Sequence, residues 1–191
     1  MTLLIIGLLI FFGAHSLSIV ALPLRDRMRA RLGEGPWKAI YAVISLLGLI
    51  LIVNGYVDAR AAPQLLYSTP GWTRHLMAVL MLPVFPLLFS SSLPGRIRSA
   101  VGHPMLCATV LWSAAHLLGN TTLADALLFG SFLLWALLDW WSLTRRSPRA
   151  LRMAPPSRWN DLIAVVGGLG VYLLFVFWAH LALIGVAPFT G

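Results

Sequence analysis

The feature that constrains this chain most is a series of long apolar blocks almost free of charge. They run from about Thr2 to Leu22, Trp37 to Val57, His75 to Leu93, Pro104 to Leu118, Leu123 to Trp141 and Leu162 to Val186. At about 1.5 Å per helical residue, most of these blocks can cross a hydrocarbon core about 30 Å thick. In lipid every backbone N–H and C=O must find its partner inside the protein, and a helix satisfies them within its own segment. The expectation is an all-α, polytopic transmembrane bundle of about six spans, a single integral membrane domain over residues 1–191. Composition agrees, because 59% of the 191 residues are hydrophobic and only 10% are charged, against about 25% charged in a soluble domain. Water cannot be the main solvent of such a chain.

The basic residues give the spans an orientation. Connections one, three and five hold twelve of the fourteen Lys and Arg residues: Arg25, Arg27, Arg29, Arg31 and Lys38, then Arg96 and Arg98, then Arg145, Arg146, Arg149, Arg152 and Arg158. Only Arg60 and Arg74 fall in the even connections. The positive-inside rule places the odd connections in the cytoplasm and both termini outside, which reads as a multi-pass protein of a bacterial inner membrane. Topology accounts for the net charge of +8, so no nucleic-acid partner is needed; the lipid bilayer is the partner expected. The first block lacks the positive n-region of a cleaved signal peptide, and its arginines follow it, so it is expected to stay as a first span. Trp37, Trp72, Trp140, Trp141 and Trp159 lie near block ends, where amphipathic rings favour the headgroup region, whereas Trp112, Trp135 and Trp178 do not. The third block contains Pro83 and Pro86 and should kink, with neighbouring helices taking up the freed carbonyls. Pro104 suits a first helical turn.

Candidate chemistry narrows to histidine. The single cysteine, Cys107, permits no intramolecular disulfide, and the absence of CxxC and CxxCH excludes zinc ribbons and covalent c-type heme. Neither GxSxG nor HExxH is present. Gly167, Gly168 and Gly170 lie inside an apolar span, where they suit close helix packing better than a dinucleotide turn. Five histidines remain: His15, His75, His103, His116 and His180. An intramembrane ionisable residue is a functional candidate by default, with a hydrogen-bonded structural histidine as the rival. His15, thirteen residues past Thr2, is expected about 20 Å below the outer face. His116, thirteen residues past His103, is expected about 20 Å from the opposite face, so the two fall roughly 10 Å apart along the membrane normal. A tilted macrocycle could be held between them. His103 sits about 220° around the helix from His116 and cannot share its face. Trp112 and Gly119, at i−4 and i+3, offer His116 a flat aromatic and a gap that could admit a planar cofactor. His75, at the outer edge beside Arg74, and His180, in the outer half of the last span, could serve a second site or a propionate. Asp58, Asp125, Asp139 and Asp161 lie near span ends and need not be buried; Asp139, the deepest, could pair with a cation.

Three stretches resemble a known family: Phe12-Gly13-Ala14-His15-Ser16, the segment from Gly33 to Tyr41, and His103-Pro104 followed by the run from Leu111 to Asn120. They resemble the NnrU membrane-protein family, itself related to the plant 15-cis-ζ-carotene isomerases, over most of Met1 to Arg146. The resemblance implies a membrane protein binding heme b, with His15 and His116 as the iron ligands. It also implies a link to nitrite and nitric oxide metabolism, with NO as a candidate ligand. In the isomerases a cysteine three positions before the second histidine is an alternative ligand in a redox switch. Here that position is Ser113, and serine is a poor substitute for a thiolate on iron.

Three function classes follow. The first is a heme b protein associated with nitrogen-oxide respiration, its axial ligands tuning the iron. The second is a heme-dependent cis-trans isomerase of a carotenoid or other polyene lipid, with Pro83 and Pro86 marking an opening between spans. The third is a membrane methyltransferase of the isoprenylcysteine type, to which His103-Pro104 is similar, although Gly102 stands where that motif has a basic residue.

Overall fold

The computed structural model describes residues 1–146 and 153–188, so Arg149 and Arg152 of the fifth basic connection lie outside the described residues. The helices follow the apolar blocks: α1 Thr2–Val20, α2 Leu22–Leu32, α3 Glu34–Ala61, α4 Thr73–Met81, α5 Val84–Ser90, α6 Arg96–Val101, α7 Pro104–Gly119, α8 Leu123–Leu143, α9 Asn160–Leu174 and α10 His180–Ile184. A π-helical turn, Phe175–Ala179, joins the last two. The fold is all-α. Among the described residues five helical segments are long and apolar enough to cross a membrane: Thr2–Val20, Glu34–Ala61, Thr73–Ser90, Leu123–Leu143 and Asn160–Ile184. The fourth block forms α7, apolar but only 16 residues long, or about 24 Å. Their outward faces carry the inverted pattern expected in lipid, with Leu9 69%, Val43 65% and Phe177 79% exposed. The first basic connection is itself the helix α2 rather than an irregular loop. Its Arg29 pairs with Glu34 at 3.1 Å, and Glu34 also holds Lys38 at 2.6 Å; exposed pairs of this kind contribute little stability.

The chain divides into two compact units. One comprises Met1–Tyr67 and Thr121–Thr144. Here α1 and α3 run antiparallel along a seam of glycines that let the backbones touch, because a Cβ at Gly55 would strike the Leu4 backbone nitrogen and one at Gly7 would lie 2.6 Å from that of Ile52. The connection after α3 pairs with the residues before α8, through Leu66 N–H to Thr121 O at 2.8 Å and Leu123 N–H to Gln64 O at 2.8 Å. Thr122 and Asp125 form a reciprocal capping box at the start of α8. Tyr56 donates its hydroxyl to Asp125 Oδ1 at 2.5 Å. Asp125 is therefore buried, at 6% exposed, contrary to the expectation that none of the aspartates need be. Its carboxylate accepts from three donors, the Tyr56 hydroxyl, the Thr122 hydroxyl and the Thr122 backbone N–H, and these bonds offset the cost of burial.

The other unit comprises Ser68–Asn120 and Arg145–Gly191. The third block breaks as its prolines require, between Met81 and Val84. Pro83 has no N–H to offer, and the Leu82 N–H turns to Val79 O at 3.2 Å instead of the carbonyl four residues back. That leaves Ala78 O, which accepts the Tyr172 hydroxyl from α9 at 3.1 Å. The same helix closes on the kink at Gly168, where a Cβ would meet the Pro86 backbone nitrogen. So the prolines mark a packed crossing of α5 and α9 within this unit, and the opening expected there is filled. Gly167 and Gly168 serve close packing as their composition suggested; a Cβ at Gly170 would meet nothing within 4 Å. Val84, Leu87 and Ala108 form the centre of the unit's core. At one end Asp161 accepts the N–H groups of Arg96 at 2.8 Å and Ile97 at 3.1 Å, capping α6, while Asn160, 4% exposed, donates to Pro94 O at 2.8 Å.

Candidate functional site

The histidines separate by burial and by what surrounds them. His75 and Arg74 are exposed at the start of α4. His103 is exposed at the N-cap position of α7, with Pro104 in the first turn behind it. His180 lies after the π-helical turn, with Nδ1 2.6 Å from Val186 O. His15 is half-buried in the first unit, and His116, 7% exposed, is buried in the second.

His15 and His116 are held in the same way. His15 Nδ1 lies 2.7 Å from Phe11 O, and His116 Nδ1 lies 2.8 Å from Trp112 O, each one helical turn back. A carbonyl only accepts, so in both rings Nδ1 carries the proton and the lone pair of the neutral ring resides on Nε2. That is the tautomer and the kind of orienting bond typical of a histidine that ligates a metal.

Around His15 the neighbours are rings. Phe11 stacks on the imidazole at 4.0 Å and 22°, Tyr41 lies at 5.2 Å and Trp135 stands edge-on at 5.8 Å and 88°. Trp135 is one of the three tryptophans placed away from span ends, and its indole Nε1 is buried without a hydrogen-bond partner. Asp139 follows it one turn later on α8 and is half-buried. The sequence signal for this cluster, an aromatic four residues before the histidine and a mid-span tryptophan, was present but carried no partner assignment.

Around His116 the neighbours are small. Ala115 and Ser113 are fully buried, and the Ser113 hydroxyl has no hydrogen-bond partner. Trp112 lies against the imidazole at 5.4 Å and 50°. The gap expected over Gly119 is taken by the thioether of Met77 from α4, whose Sδ lies 2.5 Å from where a Cβ would stand. A planar group cannot enter there unless Met77 moves. Trp37, in the first turn of α3, is buried at 8% exposed, whereas Trp72, Trp141 and Trp159 are more than half exposed.

Among the described residues no three His, Cys, Asp or Glu side chains converge on one point. A heme asks less of the chain, since its iron takes only axial ligands from protein. Each tethered imidazole, taken by itself, has the tautomer of an axial ligand, and the aromatic surroundings of His15 suit a porphyrin face better than the packed surroundings of His116 do.

The profile of a family described as NnrU protein matches residues 3–188, nearly the whole chain and both units. No curated protein matches the chain, and no solved structure does.

Proposed function

This chain belongs to the NnrU protein family, and from that premise we propose that it is a multi-pass membrane protein binding heme b in the service of nitrite and nitric oxide metabolism. His15 and His116 are the proposed axial ligands. The observation that carries this reading is the shared tether: both rings commit Nδ1 to a carbonyl one turn back, which puts the lone pair of the neutral ring on Nε2. When bound, heme b would supply a redox-active iron able to take a diatomic gas. The chain's own part is to hold each imidazole at a fixed angle and to exclude water, with Phe11 and Trp135 packed at His15 and Trp112 at His116. The placement follows the charge asymmetry: odd connections in the cytoplasm of a bacterial inner membrane, termini outside.

The test is the absorption spectrum of the purified protein, oxidised and reduced, after loading with hemin. A Soret band that shifts on reduction is expected, lost or strongly weakened in His15→Ala and His116→Ala and retained in His103→Ala. A protein that takes up no heme would sink the reading.

A further inference from the structure

In the first unit an apolar cleft of about 380 Å3 opens between α1 and α8. Its long wall runs from Ile5 through Leu8 and Phe12 to Ser16 on α1, and Ser131 faces it from α8. Gly13 forms part of the floor, and a Cβ there would meet nothing within 4 Å. The cleft falls in the size range of small-molecule sites, which pair an apolar lining with a few placed polar groups.

Several helical hydroxyls of this chain turn back on carbonyls of their own helix, as Ser90 does to Leu87 O at 2.9 Å and Thr109 to Met105 O at 2.9 Å, although Ser113 does not. Among the described residues Ser16 and Ser131 make no such bond. A hydroxyl left unsatisfied in lipid costs free energy, so a ligand acceptor at each is favoured.

The spacing says what kind of ligand. Phe12 meets Phe132 at 4.9 Å and His15 meets Trp135 at 5.8 Å, so α1 and α8 run parallel and advance together. On that register Ser131 is level with Phe11, five residues before Ser16, or about 7.5 Å along the axis. Ser131 also lies eight residues into α8, about 12 Å from its start. An ester carbonyl of a phospholipid, confined to the headgroup boundary, reaches Ser16 from the end of α1 but not Ser131 as well. A ring with carbonyls on opposite sides reaches both. Phe12 offers such a ring a flat wall, and the stretch from Ile5 to Ser16, about 16 Å, accommodates an apolar tail.

We propose that the cleft between α1 and α8 binds a lipid-soluble quinone, with the Ser16 and Ser131 hydroxyls donating to its two carbonyl oxygens and the tail lying along Leu8 and Ile5. Ser16 adjoins His15 and Phe12 lies 5.9 Å from Trp135, so the site is tested on protein without heme.

The probe is a ubiquinone with one isoprene unit, followed by quenching of tryptophan fluorescence in the detergent-purified full chain. Trp135, 5.9 Å from Phe12, is the reporter. Saturable quenching is expected, with affinity reduced about tenfold in the double variant Ser16→Ala/Ser131→Ala. Gly13→Leu, where the side chain enters open space, is expected to abolish the saturable component. An alkylbenzene with the same tail and no carbonyl, and a short-chain phosphatidylcholine, should not displace the quinone. Unchanged affinity in the double serine variant, or displacement by either competitor, would overturn the proposal.

Discussion

His15 and His116 share one backbone tether in two different settings. His15 is half-buried among Phe11, Tyr41 and Trp135, beside a cleft that opens between helices. His116 is buried among small residues, with Ser113 and Ala115 fully enclosed and a methionine sulfur closed over Gly119. The tether is a local product of the helix, since an inward histidine readily reaches a carbonyl one turn back. The setting is a product of packing, and it decides how easily each ring can accept a partner. The first unit has room beside its histidine; the second has to move Met77 to make any at Gly119.

That contrast can be broken most forcefully at the glycines. Gly55→Ala places a methyl group into the Leu4 backbone and is expected to destabilise the first unit by about 3 kcal/mol or more, read as thermal unfolding in detergent. Gly13→Ala, facing open space on the same helix, should stay within about 0.5 kcal/mol of the parent. Equal losses at the two positions would mean that the cleft is packed shut. Next in size is Tyr56→Phe, which removes the hydroxyl from buried Asp125 and should cost about 2 kcal/mol. In the second unit Tyr172→Phe leaves Ala78 O without its donor, for a loss of about 1 kcal/mol that calorimetry of the same preparation can resolve. If Tyr172→Phe costs nothing, the kink is satisfied some other way. The smallest effect is expected at Ser113. Its hydroxyl is buried with no partner, so Ser113→Ala should be neutral or stabilising by up to about 1 kcal/mol. Ser113→Cys supplies the thiol found in the isomerases and sharpens the question of chemistry: a redox-dependent change in the heme spectrum of that variant alone would tie the switch to this position.

Much of this arrangement was legible in the residues. Length and apolarity located the helices to within a few residues, because a helix in lipid is fixed by the span it must cross. Pro83 and Pro86 announced the break in the third block, and the need for an outside donor to the freed carbonyl is met by Tyr172. His103 stands outside the helix as the N-cap of α7 and is exposed, while His116 is buried. What failed was contact between distant segments. Nothing local to Gly119 says that Met77 will cover it, and nothing local to Asp125 says that Tyr56, 69 residues away, will bury it. Nothing local to Trp37 says that packing will bury it to 8% exposed. The cleft was invisible for the same reason, since it depends on which faces of α1 and α8 meet.

The most direct test of the central claim is near-infrared magnetic circular dichroism of the oxidised, heme-loaded protein, because it reports the identity of the axial ligands. The account predicts the signature of two imidazoles, changed to a single-imidazole signature or lost with the heme in both His15→Ala and His116→Ala. An unaltered ligand signature in either variant would contradict it.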